Sequence, residues 1–421
     1  MSIPGPDDIA RYELPNGIVV LVRENYDSPS VVVSGYLCVG AYDERPEQAG
    51  LSAFTARALM RGTTNRTFEQ IYEEVESVGA SVGVNGGTYT SGFGAKSLAE
   101  DLPLALNVLA DVLRHPTFPH DEVEKLRGEI LTGLEERAYD TARMAGLTFH
   151  ELAYPAEHPY ARSVTGYTET IDALTRDDLA GFYAGGYSPQ GMVIVLVGAV
   201  DSADALAQVE NVFGDWQGRS YERAPLPGVA RIDEVRQRTV FIPGKTQSDI
   251  VLGYPGPARA EPDFLDATLC NTILGVFGLM GRLGDKVREE QGLAYYSYSR
   301  LTGGPGPGPW SVVAGVDPDS IELAVASIRA EIRRICDELV EEEELADNKA
   351  YIVGNLPLRL ETNEGVAGVI VRMERYGLGL DYLRRYAGLI DAVTAEQVQA
   401  TAQRWLDPDA YALAIAGPVP E

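Results

Sequence analysis

The sequence is poor in cysteine, histidine and lysine, and each shortage narrows what the chain can be. Its three cysteines, Cys38, Cys270 and Cys336, are far apart, odd in number and form no C-x-x-C pair. That excludes a disulfide scaffold and a zinc finger, and reads as small buried thiols in a reducing compartment. Its four histidines, His115, His120, His150 and His158, include no pair at the i, i+4 spacing that gathers metal ligands on one helix face. Lysine is confined to Lys96, Lys125, Lys245, Lys286 and Lys349, and 35 Lys and Arg face 62 Asp and Glu, a formal net charge of −27. Phosphate binding needs a basic footprint, so a nucleic-acid role is disfavoured. An acidic surface instead aids solubility and attracts basic peptides where it lines a cleft. Long apolar runs are also missing, so no membrane span is expected. The segment from Met1 to Tyr12 has neither the basic nor the apolar region of a secretory signal, and the expectation is a cytoplasmic chain. Low complexity is confined to Gly303 to Pro309, which reads as a flexible hairpin connection.

What is present is a full complement of core residues. The 421 residues are 45% hydrophobic and 23% charged, which suits two globular domains of about 200 residues each. An internal repeat supports that division. Leu174 to Val200 reads LTRDDLAGFYAGGYSPQGMVIVLVGAV, and Val393 to Val419 reads VTAEQVQATAQRWLDPDAYALAIAGPV. Thr175 matches Thr394, Pro189 matches Pro408 and Gly198 matches Gly417 at one common offset, so no gap is needed. In each copy a threonine can cap a helix with an acidic residue in its first turn. An apolar helical stripe follows, then a proline turn, then an apolar strand that runs to a glycine.

Each half also opens on strand-like segments rich in β-branched residues. These are Ile18 to Val22 and Ser30 to Ser34 in the first half, and Arg238 to Ile242 and Asp249 to Gly253 in the second. Helical patterns follow over Leu102 to Leu113, Asp121 to Tyr139 and Ile321 to Leu339. Strands and helices mix without βαβ alternation, so the expected class is α+β, with two homologous domains that each pack helices on a mostly antiparallel sheet. The polar, proline-bearing stretch after Gly214 reads as a linker. The expected divisions are 1–214, a linker at 215–236, and 237–421.

Several short segments now take on meaning together. The first half contains Leu14-Pro15-Asn16-Gly17, Val39 to Glu44, Gly50-Leu51 and Arg61-Gly62-Thr63. The second contains Leu274-Gly275, Gly281-Arg282-Leu283, Val287 to Tyr295, Leu360-Glu361-Thr362 and Tyr376-Gly377-Leu378. In this order and spacing the sequence resembles the insulinase/pitrilysin family of zinc peptidases, in its shorter two-domain bacterial branch, over nearly the whole chain. The resemblance implies a clamshell chamber, of which one such chain forms half. It also implies an inverted zinc motif, H-x-x-E-H, between the Gly-Leu and Gly-Thr segments, with two histidines on zinc and a glutamate as general base. A downstream glutamate completes the ligand set.

In this sequence the segment reads GLSAFTARALMRGT. Ala53 stands at the first histidine position, Ala56 at the base and Arg57 at the second histidine, while Gly133 falls at the third ligand. Alanine offers a metal no lone pair, and arginine stays protonated and repels a cation. No zinc site of the family type is therefore expected, and no cofactor in this chain. Leu51, Phe54 and Ala58 still recur at helical spacing, and Gly62-Thr63 can stop the helix.

On pattern alone, Arg288 reads as a helix-surface cation and Tyr295 as a half-buried strand aromatic. The resemblance implies more: such a pair faces the zinc across the chamber and stabilises the oxyanion of peptide hydrolysis. Strand alternation places Tyr296 and Tyr298 on the face opposite Tyr295. In the two-subunit enzymes that the sequence resembles, zinc comes from one chain and this pair from the other. The expectation is thus a metal-free subunit whose partner is a homologous chain with H-x-x-E-H and whose substrate is a peptide. The alternative is a catalytically inactive structural or assembly protein of the same fold. A homodimer of the isolated chain also stays open.

Overall fold

The computed structural model describes residues 3–218, 223–276 and 281–418. Two sheets organise the chain. The first comprises β1 (Ala10–Glu13), β2 (Val19–Glu24), β3 (Ser30–Leu37), β4 (Ser81–Gly86), β5 (Ser91–Leu98) and β6 (Val193–Gly198). The second comprises β7 (Arg236–Phe241), β8 (Ser248–Pro255), β9 (Ala294–Leu301), β10 (Pro309–Val316) and β11 (Ala412–Gly417). Their spatial orders are β1-β2-β6-β3-β5-β4 and β7-β11-β8-β10-β9. Apart from the extra β1, the two orders correspond strand for strand. In both sheets the last strand of the half inserts at the centre. β6 runs parallel to β2 and antiparallel to β3, and β11 does the same between β7 and β8. The fold is α+β, as the irregular order of strands and helices implies.

The repeated closing unit is local chemistry seen twice. The Thr175 hydroxyl accepts from the Asp178 N–H at 3.2 Å and caps the helix Arg176–Gly186. Thr394 does the same for Gln397 at 3.2 Å ahead of the helix Ala395–Trp405. In return the third residue of each helix accepts from the capping threonine's N–H, at 2.8 Å to Asp178 and 2.9 Å to Gln397. Val419, where the second copy ends, and residues 219–222 of the expected linker lie outside the described residues.

By packing, the chain forms two compact units that interleave along the sequence. The first contains 1–132, 163–224 and 357–385, and the second 133–162, 225–356 and 386–421. Two of the five divisions between them fall inside the long helices His120–Ala138 and Glu342–Arg359. As a result, the helix Asn363–Arg375 packs on β6 and β3 of the first unit, and the helix Thr141–Ala153 packs on β8 and β11 of the second. The boundaries 1–214 and 237–421 thus describe the sequence repeat, while the packing units cross them.

The second unit shows why its central strand takes two helical layers. Leu413 and Ile415 of β11 join Ile250, Leu252 and Val312 in a core with residues of the helices Phe264–Gly275 and Ile321–Asp337. Ala412, Ala414 and Ala416 face the other way, toward Ala145, Phe149 and Ala153. Small residues on that face let a helix come close.

Beside this second core lies a stacked aromatic group. The fully buried His158 stacks on Tyr154 at 5.0 Å and on Tyr160 at 5.4 Å, and its Nδ1 accepts from the Tyr160 N–H at 3.2 Å. His150 also stacks on Tyr154, at 6.0 Å. Burial lowers both imidazoles from 6.5 to about 4. Between those values the unfolded chain binds protons that the folded chain does not. Stability should therefore fall as pH drops from 6.5 toward 4, by about 1.4 kcal/mol per pH unit for each histidine. Urea unfolding across this range should show the loss, and His158→Gln should reduce its slope. A flat profile in that window would contradict the assignment.

Candidate functional site

The helix that carries three of the four positions that the resemblance assigns to a metal site, Leu51–Ala58, is held from both ends. At its start the buried Glu44 carboxylate accepts from the Gly50 N–H at 3.1 Å and the Ser52 N–H at 2.9 Å. An anion there also meets the positive end of the helix dipole. At its end a short 3₁₀ turn, Leu59–Arg61, leads to Gly62 at φ +141°. The Thr63 hydroxyl then donates to Asp111 at 2.7 Å. The same buried carboxylate accepts from Asn65 at 2.6 Å and Arg66 at 2.8 Å. Burial would push Asp111 up, but hydrogen bonds from Thr63, Asn65 and Arg66 outweigh it and hold the carboxyl below its ordinary range.

Between these anchors, the residues at the metal positions do not fit zinc. Ala56 is fully buried and Ala53 nearly so. The end of β4 crosses the helix so closely that a Cβ on Gly86 would lie 2.6 Å from Ala53 Cα. Arg57 Nη2 donates to Glu129 at 3.2 Å, and Arg61 Nη2 donates to both oxygens of the same carboxylate, at 2.8 and 2.6 Å. Arg61 also stands 3.6 Å from Glu122, which Lys125 approaches at 2.6 Å. Two guanidinium groups therefore use the carboxylate that lies nearest to position 57. Both Arg57 and Glu129 are about half exposed, so their pair contributes about 0–1 kcal/mol. Gly133 lies further along the helix His120–Ala138, in the second packing unit, with open space where a side chain would project. Among the described residues, no group of three or more His, Cys, Asp or Glu is arranged to hold a metal.

Arg288 and Tyr295 belong to the second unit. Arg288 sits in a π-helical turn, Gly284–Glu290, that packs against β9. Such turns are uncommon and recur at functional sites. Its side chain is partly exposed and lies 3.6 Å from Glu289. Gly292, at φ +62°, ends the turn: its N–H donates to the Arg288 carbonyl and the Leu293 N–H to that of Val287. Tyr295 is 79% exposed, where the sequence suggested half-burial. Its ring also meets that of Tyr296 edge-on at 6.5 Å, so strict alternation to opposite faces does not hold. The reason is a bulge. Opposite β10, Tyr296 pairs with Gly315 and Ala294 pairs with Val316, which leaves Tyr295 as the extra residue.

This combination matches known proteins along most of its length. Residues 19–160 match the profile of "Insulinase (Peptidase family M16)", and residues 173–352 match that of "Peptidase M16 inactive domain". The chain belongs to the M16, or insulinase, family of peptidases. It is 29% identical over 418 residues to an "uncharacterized zinc protease" of Mycobacterium leprae, with 97% of this chain and 92% of that protein covered. A protein of the same description from Bacillus subtilis is 25% identical over 423 residues, covering 97% and 98%. Among solved structures, a "peptidase M16 inactive domain" from Pseudomonas fluorescens is 25% identical and superposes with a TM-score of 0.89, covering 98% of this chain and 99% of that one. A protease from Helicobacter pylori, 18% identical, shares the fold with a TM-score of 0.90 over 99% and 100% of the two chains.

Two outcomes follow from this geometry. Removing the shared acceptor by Asp111→Ala should cost about 2–4 kcal/mol in urea unfolding, since it strands Thr63, Asn65 and Arg66 together. The double substitution Ala53→His with Arg57→His places two imidazoles one helical turn apart, beside Glu129, which Arg61 still holds. It should raise bound zinc, measured by elemental analysis after dialysis, from trace toward about one ion per chain. A folded double variant that still binds none would show that more than the ligands has changed.

Proposed function

We propose that this chain is the metal-free subunit of a two-chain zinc peptidase and that it contributes Arg288 and Tyr295 to peptide hydrolysis. The observation that carries this reading is the placement of Tyr295, whose phenol projects from a bulge with 79% exposure. Burial of its ring would stabilise the fold more, so the fold itself gains little from this placement. Arg288 lies on the turn packed against the same strand. Attack on a peptide carbonyl builds negative charge on oxygen, and a phenol and a guanidinium are the donors that meet it. Each such donor supplies about 2.7–4 kcal/mol of transition-state stabilisation. With Ala53, Ala56, Arg57 and Gly133 at the metal positions, zinc and its activated water belong to a homologous partner that carries H-x-x-E-H.

The test is co-expression with an H-x-x-E-H homologue encoded in the same genome, followed by hydrolysis of quenched fluorescent peptides. The mixture should cleave, and the isolated chain should be inert and free of stoichiometric zinc. Tyr295→Phe and Arg288→Ala should each lower the kcat of the mixture by about 10²–10³-fold. Unchanged rates for both variants would sink the assigned roles and favour a structural subunit. Hydrolysis by the isolated chain with bound zinc would sink the metal-free reading.

A further inference from the structure

Tyr295 stands outward because its neighbours are tied inward. Ala294 and Ser297 of β9 are buried, as is Ser299. Without a bulge, period-two alternation would carry Tyr295 to the same side as Ser297 and Ser299. The next residue along, Tyr296, belongs to a row that crosses three strands. Asp249 of β8 pairs with Gly315 of β10, and Gly315 pairs with Tyr296 of β9. The Tyr296 ring lies across Gly315, and its hydroxyl donates to Asp249 on the far side. Gly315 is what leaves room for this. A Cβ there would sit 2.8 Å from Tyr296 Cε1, 2.9 Å from its Cζ and 2.4 Å from Gln247 Nε2. Asp249 is 1% exposed, so its oxygen needs a donor, and the tyrosine is the donor that reaches it. Burial, and then the bond to Asp249, push the Tyr296 phenol upward, so it stays protonated and keeps donating.

We infer that the Asp249–Gly315–Tyr296 row is a positioning device, which fixes the β9 bulge and thereby holds Tyr295 outward for its role in catalysis. This rests on the reading of Tyr295 given above. Tyr296 is tied across the sheet on one flank of the bulge, and Ala294 is buried on the other. The extra residue between them has the outward direction left, with the Tyr296 ring beside it at a steep angle, 6.5 Å between centroids. Tyr296 and Asp249 act through Tyr295 and are positioning residues.

The test places 3-fluorotyrosine at position 295 of the full chain and records its fluorine NMR spectrum. The unsubstituted row should give one sharp resonance. Tyr296→Phe keeps the ring and loses only the hydroxyl, so it should fold. It should raise the population of a second Tyr295 conformer about fivefold, the equilibrium weight of one hydrogen bond. Asp249→Leu should do the same, while Asp249→Asn retains an acceptor and should restore the single resonance. One unshifted, sharp line in both Tyr296→Phe and Asp249→Leu would overturn the inference. In the two-chain mixture, Tyr296→Phe should lower kcat and leave KM in place. Should Tyr295→Phe be fully active there, the functional reading falls, and the NMR result separately decides whether the row sets the side chain's position.

Discussion

The central strand of each sheet is buried along its whole length, and most of the architecture answers to that constraint. β6 reads VIVLVG and β11 reads ALAIAG, and all six residues of each are buried. A strand of this kind needs helices on both faces. The second cover does not come from neighbouring sequence. The helix Thr141–Ala153 belongs to the first half of the repeat and the helix Asn363–Arg375 to the second, yet each packs on the sheet formed largely by the other half. Each compact unit is therefore incomplete without a segment from across the repeat.

The helix that carries Ala53, Ala56 and Arg57 is likewise held by contacts outside those positions. The helix Leu51–Ala58 is secured by Glu44 at its start and, past its end, by Asp111 through Thr63. Both anchors lie outside the ligand positions. The order of this helix therefore does not depend on what side chains stand at 53 and 57. Here Ala53 and Ala56 close up the packing, and Arg57 reaches a carboxylate on the next long helix.

Local features of this molecule were legible in the sequence, and features that depend on tertiary context were not. The capping threonines Thr175 and Thr394 and the strands around Val20 and Val32 can be read residue by residue. The exchange of cover helices cannot, because it depends on where the long helices His120–Ala138 and Glu342–Arg359 deliver the chain. Glu44 was visible as part of a motif, but nothing in the motif marks it as a helix cap eight residues ahead of Ser52. Tyr295 shows the sharpest limit. Alternation assumes two residues per repeat, and a single bulge breaks that assumption. The available signal was Gly315, a glycine inside an apolar strand pattern, which often marks a bulge or a close approach. Gly315 proves to be the crossing point of a tyrosine.

The two sheets also bear on the contrast between a decayed enzyme and a retained part of one. β4 and β9 occupy the same edge position in corresponding strand orders. β4 pairs with β5 residue for residue from Ser81 to Gly86, whereas β9 breaks its register at Tyr295. The irregular edge carries two costs that the regular one lacks. A bulge gives up ladder pairing, and a buried acid must be matched with a donor. A sheet edge whose sole task is to be part of a scaffold gains nothing from either. Together they turn one phenol outward, and local cost of that kind points from an observed irregularity to a functional demand. The first unit, by contrast, shows ordinary close packing at Ala53 and Ala56. One half of the chain is regularly packed at Ala53 and Ala56, while the other carries the cost of a directed side chain, and that contrast is what supports the proposal of a metal-free subunit.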